Sequence, residues 1–399
     1  MINDYDVIIA GAGPAGLSAA KTVAELGLKC LIIEKNEEVG YPVRTSGASW
    51  YNDMVRLGIP KKYLNPLHRI SLVGPHEEIT IDFEDPVACI LDVTEVYKFL
   101  ASQATQYGAE LRLQTKVKDI IIERGFVCGL RIQDKNNSEE IRCKVVVDAT
   151  GFNAALVKKL GYIKKWPRKA VGVQYDIQSS DIDHDSASLF VGRRIAPSGY
   201  GWFFPWRKNR ARVGVGIIRP DSSANPNLLA DALLKSDYLS KCIGNYKIIR
   251  KETGMFPCSG PIKRTVANGF IAVGDSAGMG SPLHGEGIRY AIKFGRLAGE
   301  VIFNAITKGK VSAENLYIYE KKWRKMEERN FKIGLSIQKR IAKYTDQQWD
   351  RAIRYLKKIA YKDQEVIIEL FKSNFSYRNI WRLFKHTPSI ALKMLLGEK

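Results

Sequence analysis

A glycine-rich turn between two apolar runs, within the first 35 residues, limits what this chain can fold into. The run YDVIIA predicts a buried strand, the turn GAGPAG opens a helical pattern that ends near Gly27, and KCLIIE predicts a second strand. In a strand-helix-strand unit of this kind, Gly11 permits the tight turn, Gly13 lets the backbone approach a pyrophosphate, and Gly16 allows close helix packing. The stretch therefore predicts a dinucleotide-binding unit.

Glu34 stands at the end of the second predicted strand, 18 residues after Gly16. A carboxylate at this position can accept hydrogen bonds from both hydroxyls of a ribose, and the start of the preceding helix attracts phosphates through its partial positive charge. The residues that we expect to bind the dinucleotide at this end are Gly11, Ala12, Gly13, Pro14, Ala15, Gly16, Glu34 and Lys35.

Two later segments indicate which dinucleotide is bound. Residues 145–151 (VVVDATG) predict a strand that ends in a glycine turn, and residues 269–278 (GFIAVGDSAG) predict a strand before a helix over about 282–304. This order resembles the p-hydroxybenzoate-hydroxylase-like flavoproteins, which implies FAD as the resident cofactor, with Asp275 at its ribitol and pyrophosphate. The other residues that the resemblance places at the cofactor are Ala149, Thr150, Gly151, Gly274, Pro282, Gly285, Gly287 and Ile288.

An aromatic segment indicates which family of these flavoproteins the chain resembles. Residues 197–205 (PSGYGWFFP) fit the pattern P-x-x-Y-x-W-x-F-P, and with the run GDSAGMGSPLHGEG from residue 274 they resemble the geranylgeranyl reductase family of FAD-dependent oxidoreductases. The resemblance covers residues 1 to about 310, and the basic tail more loosely. It implies that trisubstituted C=C bonds of polyprenyl chains, on a lipid or a diphosphate, are reduced by hydride from flavin N5 plus a proton.

The aromatic residues of this segment allow two interpretations. Alternating aromatic side chains in a strand are common in a buried core, and they can also form the wall of a substrate pocket. The resemblance favours the wall, in which Tyr200 and Trp202 contact the substrate and Phe204 lines the same tunnel. The tunnel must be apolar and exclude water from a carbocation-like state.

The chain departs from the family pattern at two places. Relatives often carry a cysteine near the flavin in the loop that here spans residues 40–47, and Thr45 or Ser46 takes its place. If that cysteine matters for the activity, we expect this chain to be slower, to be differently specific or to reduce fewer bonds. Val93 stands where relatives place an arginine near the FAD phosphates. Arg44 either supplies that missing charge or is only a loop cation. We expect Arg44, Thr45, Ser46 and Gly47 to border the cofactor.

Histidine and cysteine residues give weaker signals. His284 lies in the loop beside the expected flavin, where it either helps to deliver the proton or bonds only to the backbone, and Glu286 is expected in the first turn of the following helix. The other histidines and the six cysteines show no spacing for a metal site or a redox dithiol. We expect buried reduced thiols, with a Cys242 to Cys258 disulfide as the minor alternative.

Basic residues are concentrated near the end of the chain. The formal net charge is +20, and residues 301–399 contain 22 Lys+Arg against 10 Asp+Glu. These residues predict helices whose basic faces are either solvated or attracted to an anionic membrane. Nucleic acid is not expected, because no nucleic-acid motif is present. No apolar run reaches the length of a membrane span, so we expect a cytoplasmic chain with peripheral contact to the membrane.

The expected fold is α/β plus antiparallel β. It comprises a Rossmann-like FAD-binding domain over residues 1–165 and 260–305, an inserted antiparallel-sheet substrate domain over 166–260 to which 60–90 contribute, and a helical segment over 306–399. A flavin-dependent monooxygenase or halogenase and a non-catalytic prenyl-binding flavoprotein are the alternative functions. No second GxGxxG motif is present, so reduced ferredoxin and NAD(P)H are both open as electron donors.

Overall fold

The computed structural model describes residues 4–135 and 137–386. These residues contain eighteen strands: β1 (Tyr5–Ala10), β2 (Cys30–Ile33), β3 (Ala48–Trp50), β4 (Leu64–Leu67), β5 (Arg69–Val73), β6 (Glu78–Asp82), β7 (Ala88–Leu91), β8 (Glu110–Arg112), β9 (Lys116–Glu123), β10 (Phe126–Gln133), β11 (Ser138–Asp148), β12 (Lys169–Gln178), β13 (Ser186–Phe190), β14 (Gly199–Arg207), β15 (Arg210–Arg219), β16 (Lys247–Pro257), β17 (Val266–Ala267) and β18 (Phe270–Ala272).

Twelve α-helices occur in the same described part of the chain: α1 (Pro14–Glu25), α2 (Tyr51–Arg56), α3 (Val93–Gln106), α4 (Ala155–Lys159), α5 (Pro226–Leu234), α6 (Asp237–Ile243), α7 (Ile288–Thr307), α8 (Ala313–Trp323), α9 (Arg329–Ile341), α10 (Asp346–Ala360), α11 (Gln364–Phe371) and α12 (Tyr377–His386). None of the helices in residues 4–135 and 137–386 is both long and apolar enough to cross a membrane. Residues 387–399 of the predicted basic tail lie outside the described residues.

The first sheet is built around β1. Strands β11 and β2 flank it in parallel, and β18 and β8 extend the parallel sheet on the two sides. Such a buried parallel strand requires apolar side chains on both faces, and Val7, Ile8 and Ile9 are fully buried. Helices α1 and α7 pack closely together because Gly295 leaves room for the backbone of Ala15. The predicted strand-helix-strand unit is confirmed.

The second sheet has seven strands in the order β16, β12, β15, β14, β13, β5, β6, and only the pair β13 and β5 is parallel. On β15, Val213, Val215 and Ile217 point to the face that helix α5 covers, while Gly214 and Gly216 alternate with them on the other face. The predicted combination of an α/β unit with an antiparallel sheet is confirmed. The exact domain boundaries stay a prediction.

The basic tail folds onto both parts of the molecule. Helix α8 packs against α7, with Tyr319 and Trp323 fully buried, and helices α10 to α12 cover the outer strands of the second sheet. There, Ile353 and Val366 pack in one apolar cluster with Ile79 of β6. The helices that the sequence predicts in this region are present, and their apolar faces belong to the core.

Two details correct the sequence-based expectations. The helix predicted from Pro282 begins only at Ile288, because Gly285 adopts a left-handed conformation with φ of 73° and residues 281–287 form a loop. Glu286 consequently lies in that loop and not in a first helical turn.

The cysteines agree with the main expectation of free thiols. All six are free, so the alternative disulfide is not formed.

Candidate active site

A cavity of about 1140 Å³ lies between the first sheet, the second sheet and the tail. Its wall brings together most residues that the sequence singles out: Gly11, Ala12, Gly13, Pro14, Ala15, Glu34, Lys35, Arg44, Thr45, Ser46, Ala149, Thr150, Gly151, Tyr200, Trp202, Gly274, Asp275, Pro282, His284, Gly285, Gly287 and Ile288. Two residues predicted at the cofactor, Gly16 and Gly47, do not line the cavity. Phe204 is not part of the wall and stacks on Trp202, with ring centroids 6.3 Å apart, so it supports a wall residue and does not line the tunnel as expected.

The three glycines of the first turn have different surroundings. Gly11 has φ of 109°, and a Cβ there would overlap the backbone of Ala149, whose carbonyl carbon would be 2.9 Å away. A Cβ on Gly16 would overlap the carbonyl oxygen of Gly11 and lie 3.1 Å from Ile9. Gly13 has an ordinary φ of −79°, and nothing lies within 4 Å of its Cβ position. The turn is therefore tightly packed against the end of β11, at Gly11 and Gly16, and open on the side of Gly13.

The open side of this turn suits a pyrophosphate. Helix α1 starts at Pro14, and no side chain caps its first N–H groups, which leaves them available to an anion. The Glu34 carboxylate accepts hydrogen bonds from the N–H groups of Ala12 at 2.9 Å and Asn36 at 3.0 Å. Each carboxylate oxygen keeps a lone pair for a ribose hydroxyl. The residues present fit a dinucleotide cofactor.

One aspartate, Asp275, lies in the cavity wall, and a second, Asp148, supports the turn of wall residues that follows β11. Asp148 is fully buried and accepts hydrogen bonds from the backbone N–H groups of Thr150, Leu156 and Val157, which fixes the turn after β11. Burial raises the pKa of Asp275 to about 6. Hydroxyl donors of a ligand would stabilise the charged form of Asp275, and the ribitol of FAD provides such donors.

The loop of residues 281–287 holds His284 in a dry environment. The hydroxyl of Tyr200 donates a hydrogen bond to the carbonyl oxygen of His284, and the His284 Nδ1 lies 3.2 Å from the Ser281 hydroxyl. Burial, together with the nearby positive charge of Arg289, lowers the pKa of His284 to about 3. The imidazole is consequently neutral at pH 7, and its Nε2 has no hydrogen-bond partner among the described residues.

The loop of residues 40–47 is attached to the second sheet. The Gln174 amide donates to the carbonyl oxygen of Thr45 at 3.2 Å, and the Arg212 guanidinium donates to the carbonyl oxygen of Ser46 at 2.8 Å. A Cβ on Gly47 would lie 2.9 Å from both Arg212 and Val93, so a buried guanidinium stands directly beside Val93. Arg44 is exposed at the cavity and forms no ion pair among the described residues.

Comparison with known proteins identifies the family. Residues 4–332 match a family described as FAD binding domain. A digeranylgeranylglycerophospholipid reductase of Methanosarcina acetivorans is 32% identical over 394 residues, which cover 93% of each chain. A second relative, digeranylgeranylglycerophospholipid reductase 2 of Methanococcoides burtonii, is 32% identical over 385 residues and 94% of each chain. The chain belongs to the geranylgeranyl reductase family of FAD-dependent oxidoreductases, and FAD is its cofactor.

Solved structures agree with this family assignment. The crystal structure of a geranylgeranyl bacteriochlorophyll reductase-like protein from Thermoplasma acidophilum superposes with a TM-score of 0.87 at 26% identity and covers 98% of both chains. A flavin-dependent brominase superposes with a TM-score of 0.72 at 19% identity, over 92% of this chain and 93% of the brominase. At that identity the brominase shows the shared fold alone.

Sequence reasoning missed several residues of this reductase cavity. Gln174 of β12 and Glu252 of β16 lie in the wall and bond to each other at 2.6 Å. The tail also contributes, because Gln338 of α9 donates hydrogen bonds to the carbonyl oxygens of Cys258 and Pro282. The tail therefore contributes to the cavity wall as well as carrying much of the basic charge. A single sequence gives no signal for these contacts, which depend on the pairing of distant strands and helices.

Replacement of Gly13 by alanine tests the FAD cradle. Alanine is compatible with the backbone conformation and meets no neighbouring atom, so the folded apoprotein should keep its stability. The new methyl group occupies the open space in front of the turn and should weaken FAD binding by about tenfold or more. FAD titration and thermal unfolding of the apoprotein measure the two effects. Unchanged FAD affinity in the variant would show that the cofactor lies elsewhere.

Proposed function

We propose that this chain reduces C=C bonds in the geranylgeranyl chains of a glycerophospholipid. The observation that carries the proposal is that a single cavity is lined both by the glycine turn for the dinucleotide and by aromatic and aliphatic side chains. These side chains include Tyr200, Trp202, Phe256, Leu283, Ile341 and Trp349. Two relatives named digeranylgeranylglycerophospholipid reductases, each covering more than nine-tenths of the chain, support the lipid as substrate.

The residues of the cavity suit this reaction. The chemistry that FAD supplies when bound and reduced is hydride transfer to one carbon of the alkene. The apolar wall binds the hydrocarbon chain and excludes water, which would capture a carbocation-like transition state. The faces of Tyr200 and Trp202, whose ring centroids are 5.9 Å apart, can stabilise developing positive charge. Electrons come from an external donor, and reduced ferredoxin and NAD(P)H both remain candidates.

The second alkene carbon needs a proton, and the cavity wall contains three polar residues to compare for this role, Tyr200, His284 and Thr45. His284 is neutral in this environment, so we propose that it acts through its carbonyl oxygen, which positions the Tyr200 hydroxyl. Burial raises the pKa of Tyr200 to about 12, so this phenol keeps its proton at neutral pH. We therefore propose Tyr200 as the residue that holds a proton beside the second alkene carbon. Thr45 carries no titratable group, and we propose that it borders the cofactor without taking part in proton transfer.

Anaerobic turnover tests the proposed reaction. Dithionite-reduced holoenzyme, incubated without oxygen with digeranylgeranylglycerophospholipid, should give products that are heavier by two hydrogen atoms for each reduced bond. Mass spectrometry measures this gain, and the fully saturated lipid serves as the control substrate. Turnover that requires oxygen would favour a monooxygenase or halogenase. An FAD-loaded protein that binds the lipid without changing its mass would favour a prenyl-binding flavoprotein.

We also propose that the tail rests on an anionic membrane. The region around the turn between α10 and α11 exposes Tyr361 and, on the neighbouring helix α12, Trp381, whose exposed fractions are 92% and 64%. The bond from Arg382 to Asp363 holds α12 beside this turn. Lys358 and Lys362 form no ion pair among the described residues, and cations beside exposed aromatic rings suit the surface of anionic lipids.

Charge reversal at this surface tests membrane contact. The double variant Lys358→Glu with Lys362→Glu should bind anionic liposomes at least about tenfold more weakly at low salt, because each lysine near such a surface contributes about 1 kcal/mol. The matched control reverses Lys164 and Lys165, two adjacent exposed lysines in a turn after α4. A sedimentation assay measures binding. Equal binding of both double variants and the parent chain would contradict the proposed surface.

A further inference from the structure

The indole of Trp202 lies flat on a floor of three glycines from neighbouring strands. In the sheet register, Gly214 of β15 faces both Trp202 of β14 and Gln174 of β12, and Gly216 faces Gly172. A Cβ on Gly214 would lie 2.6 Å from the indole Cε2, whereas a Cβ on Gly172 or Gly216 would lie 3.4 Å from the ring. Only glycine at position 214 leaves the ring this close to the sheet.

Gln174 fixes the indole at its polar end. The Trp202 Nε1–H donates to the Gln174 side-chain oxygen at 3.2 Å, and the Gln174 nitrogen donates to Glu252 at 2.6 Å and to the carbonyl oxygen of Thr45 at 3.2 Å. Gln174 is buried, so these bonds do not compete with bulk water. The orientation of Trp202 is thereby linked to the loop that borders the cofactor.

The floor determines how far the indole protrudes into the cavity. Trp202 and Gln174 both belong to the cavity wall, and so do Gly172 and Gly216. Any group added under the ring must push it away from the sheet, toward the space that a hydrocarbon chain would occupy. The floor and the Gln174 amide together therefore control one dimension of that space.

We infer that Gly214 and Gln174 are positioning residues that set the width of the polyprenyl channel by holding Trp202 against the sheet. This inference rests on the proposed function, since it takes a polyprenyl chain as the occupant. Gly214 lies under the ring and is not part of the cavity wall, and Gln174 is hydrogen-bonded to the indole. Both act on it through the position of the indole.

Two alanine substitutions in neighbouring strands test the inference. Gly214→Ala places a methyl group under the indole and 2.7 Å from the Cβ of Gln174, and should lift the ring into the cavity. Gly201→Ala on β14 is the matched control, because its methyl group meets the end of the Leu233 side chain at 2.8 Å on the opposite face of the sheet, and Gly201 is not part of the cavity wall. The dissociation constant of the saturated lipid, measured by calorimetry on the holoenzyme, and the KM of the unsaturated lipid should both rise roughly tenfold or more in Gly214→Ala. In Gly201→Ala both should stay close to the parent values.

Additional variants separate positioning from loss of folding. Gln174→Met removes the hydrogen bond to the indole without adding bulk under the ring, so it should raise the same KM and dissociation constant. It also leaves Glu252 and the Thr45 carbonyl without their amide partner, so its unfolding temperature should fall, and lipid binding is compared on FAD-loaded protein well below that temperature. In the Trp202→Phe background the smaller ring avoids the added methyl group, and the effect of Gly214→Ala on lipid binding should shrink, which a double-mutant cycle measures.

The outcomes distinguish this inference from the proposed function. A parent enzyme that neither binds nor reduces polyprenyl lipid overturns the proposed function. A parent enzyme that reduces the lipid, with equal lipid binding in Gly214→Ala and Gly201→Ala and an unchanged KM in Gln174→Met, overturns the assigned role of the floor. Weaker lipid binding in Gly214→Ala that persists undiminished in the Trp202→Phe background also overturns it.

Discussion

The close contact between the turn after β1 and the end of β11 is the constraint on which the rest of the site depends. Gly11 lies so near the backbone of Ala149 that no side chain fits between them, and Gly16 brings helix α1 against the same turn. Because this side of the turn is closed, the turn opens to the cavity only on the side of Gly13, where the uncapped N–H groups of α1 begin. The open side of this turn follows from backbone packing, and the Glu34 carboxylate, bonded to the N–H of Ala12, completes the site for a ribose.

The second sheet and the tail complete the cavity from the other sides. Strands β12, β14 and β16 supply an aromatic and polar wall, and helices α9 and α10 add Gln338, Ile341 and Trp349. The buried hydroxyls of Ser281 and Ser373 lie 2.9 Å apart, which attaches the loop of His284 to the tail. Removal of the tail would therefore expose the cavity as well as remove basic charge, so membrane contact has to be tested by surface substitutions.

The fold was predictable where local signals agree with each other. The glycine spacing, the apolar run of β1 and the acidic end of β2 all indicate one unit, and the structure contains it. The start of α7 was predicted wrongly, because Pro282 is a favourable first helical residue, and nothing local announces the left-handed conformation of Gly285. Gln174 and Arg212 could not be predicted as neighbours of the cofactor loop, since their contacts depend on strand register.

The most direct measurement of the central claim is a single turnover in the absence of oxygen. Reduced holoenzyme is mixed in a stopped-flow instrument with digeranylgeranylglycerophospholipid or with its saturated counterpart, and the absorbance of oxidised flavin is followed. The account predicts that the unsaturated lipid reoxidises the flavin at a rate that saturates with lipid concentration, with one flavin oxidised for each bond reduced. Flavin that stays reduced with both lipids, and is oxidised only after oxygen is admitted, would contradict it.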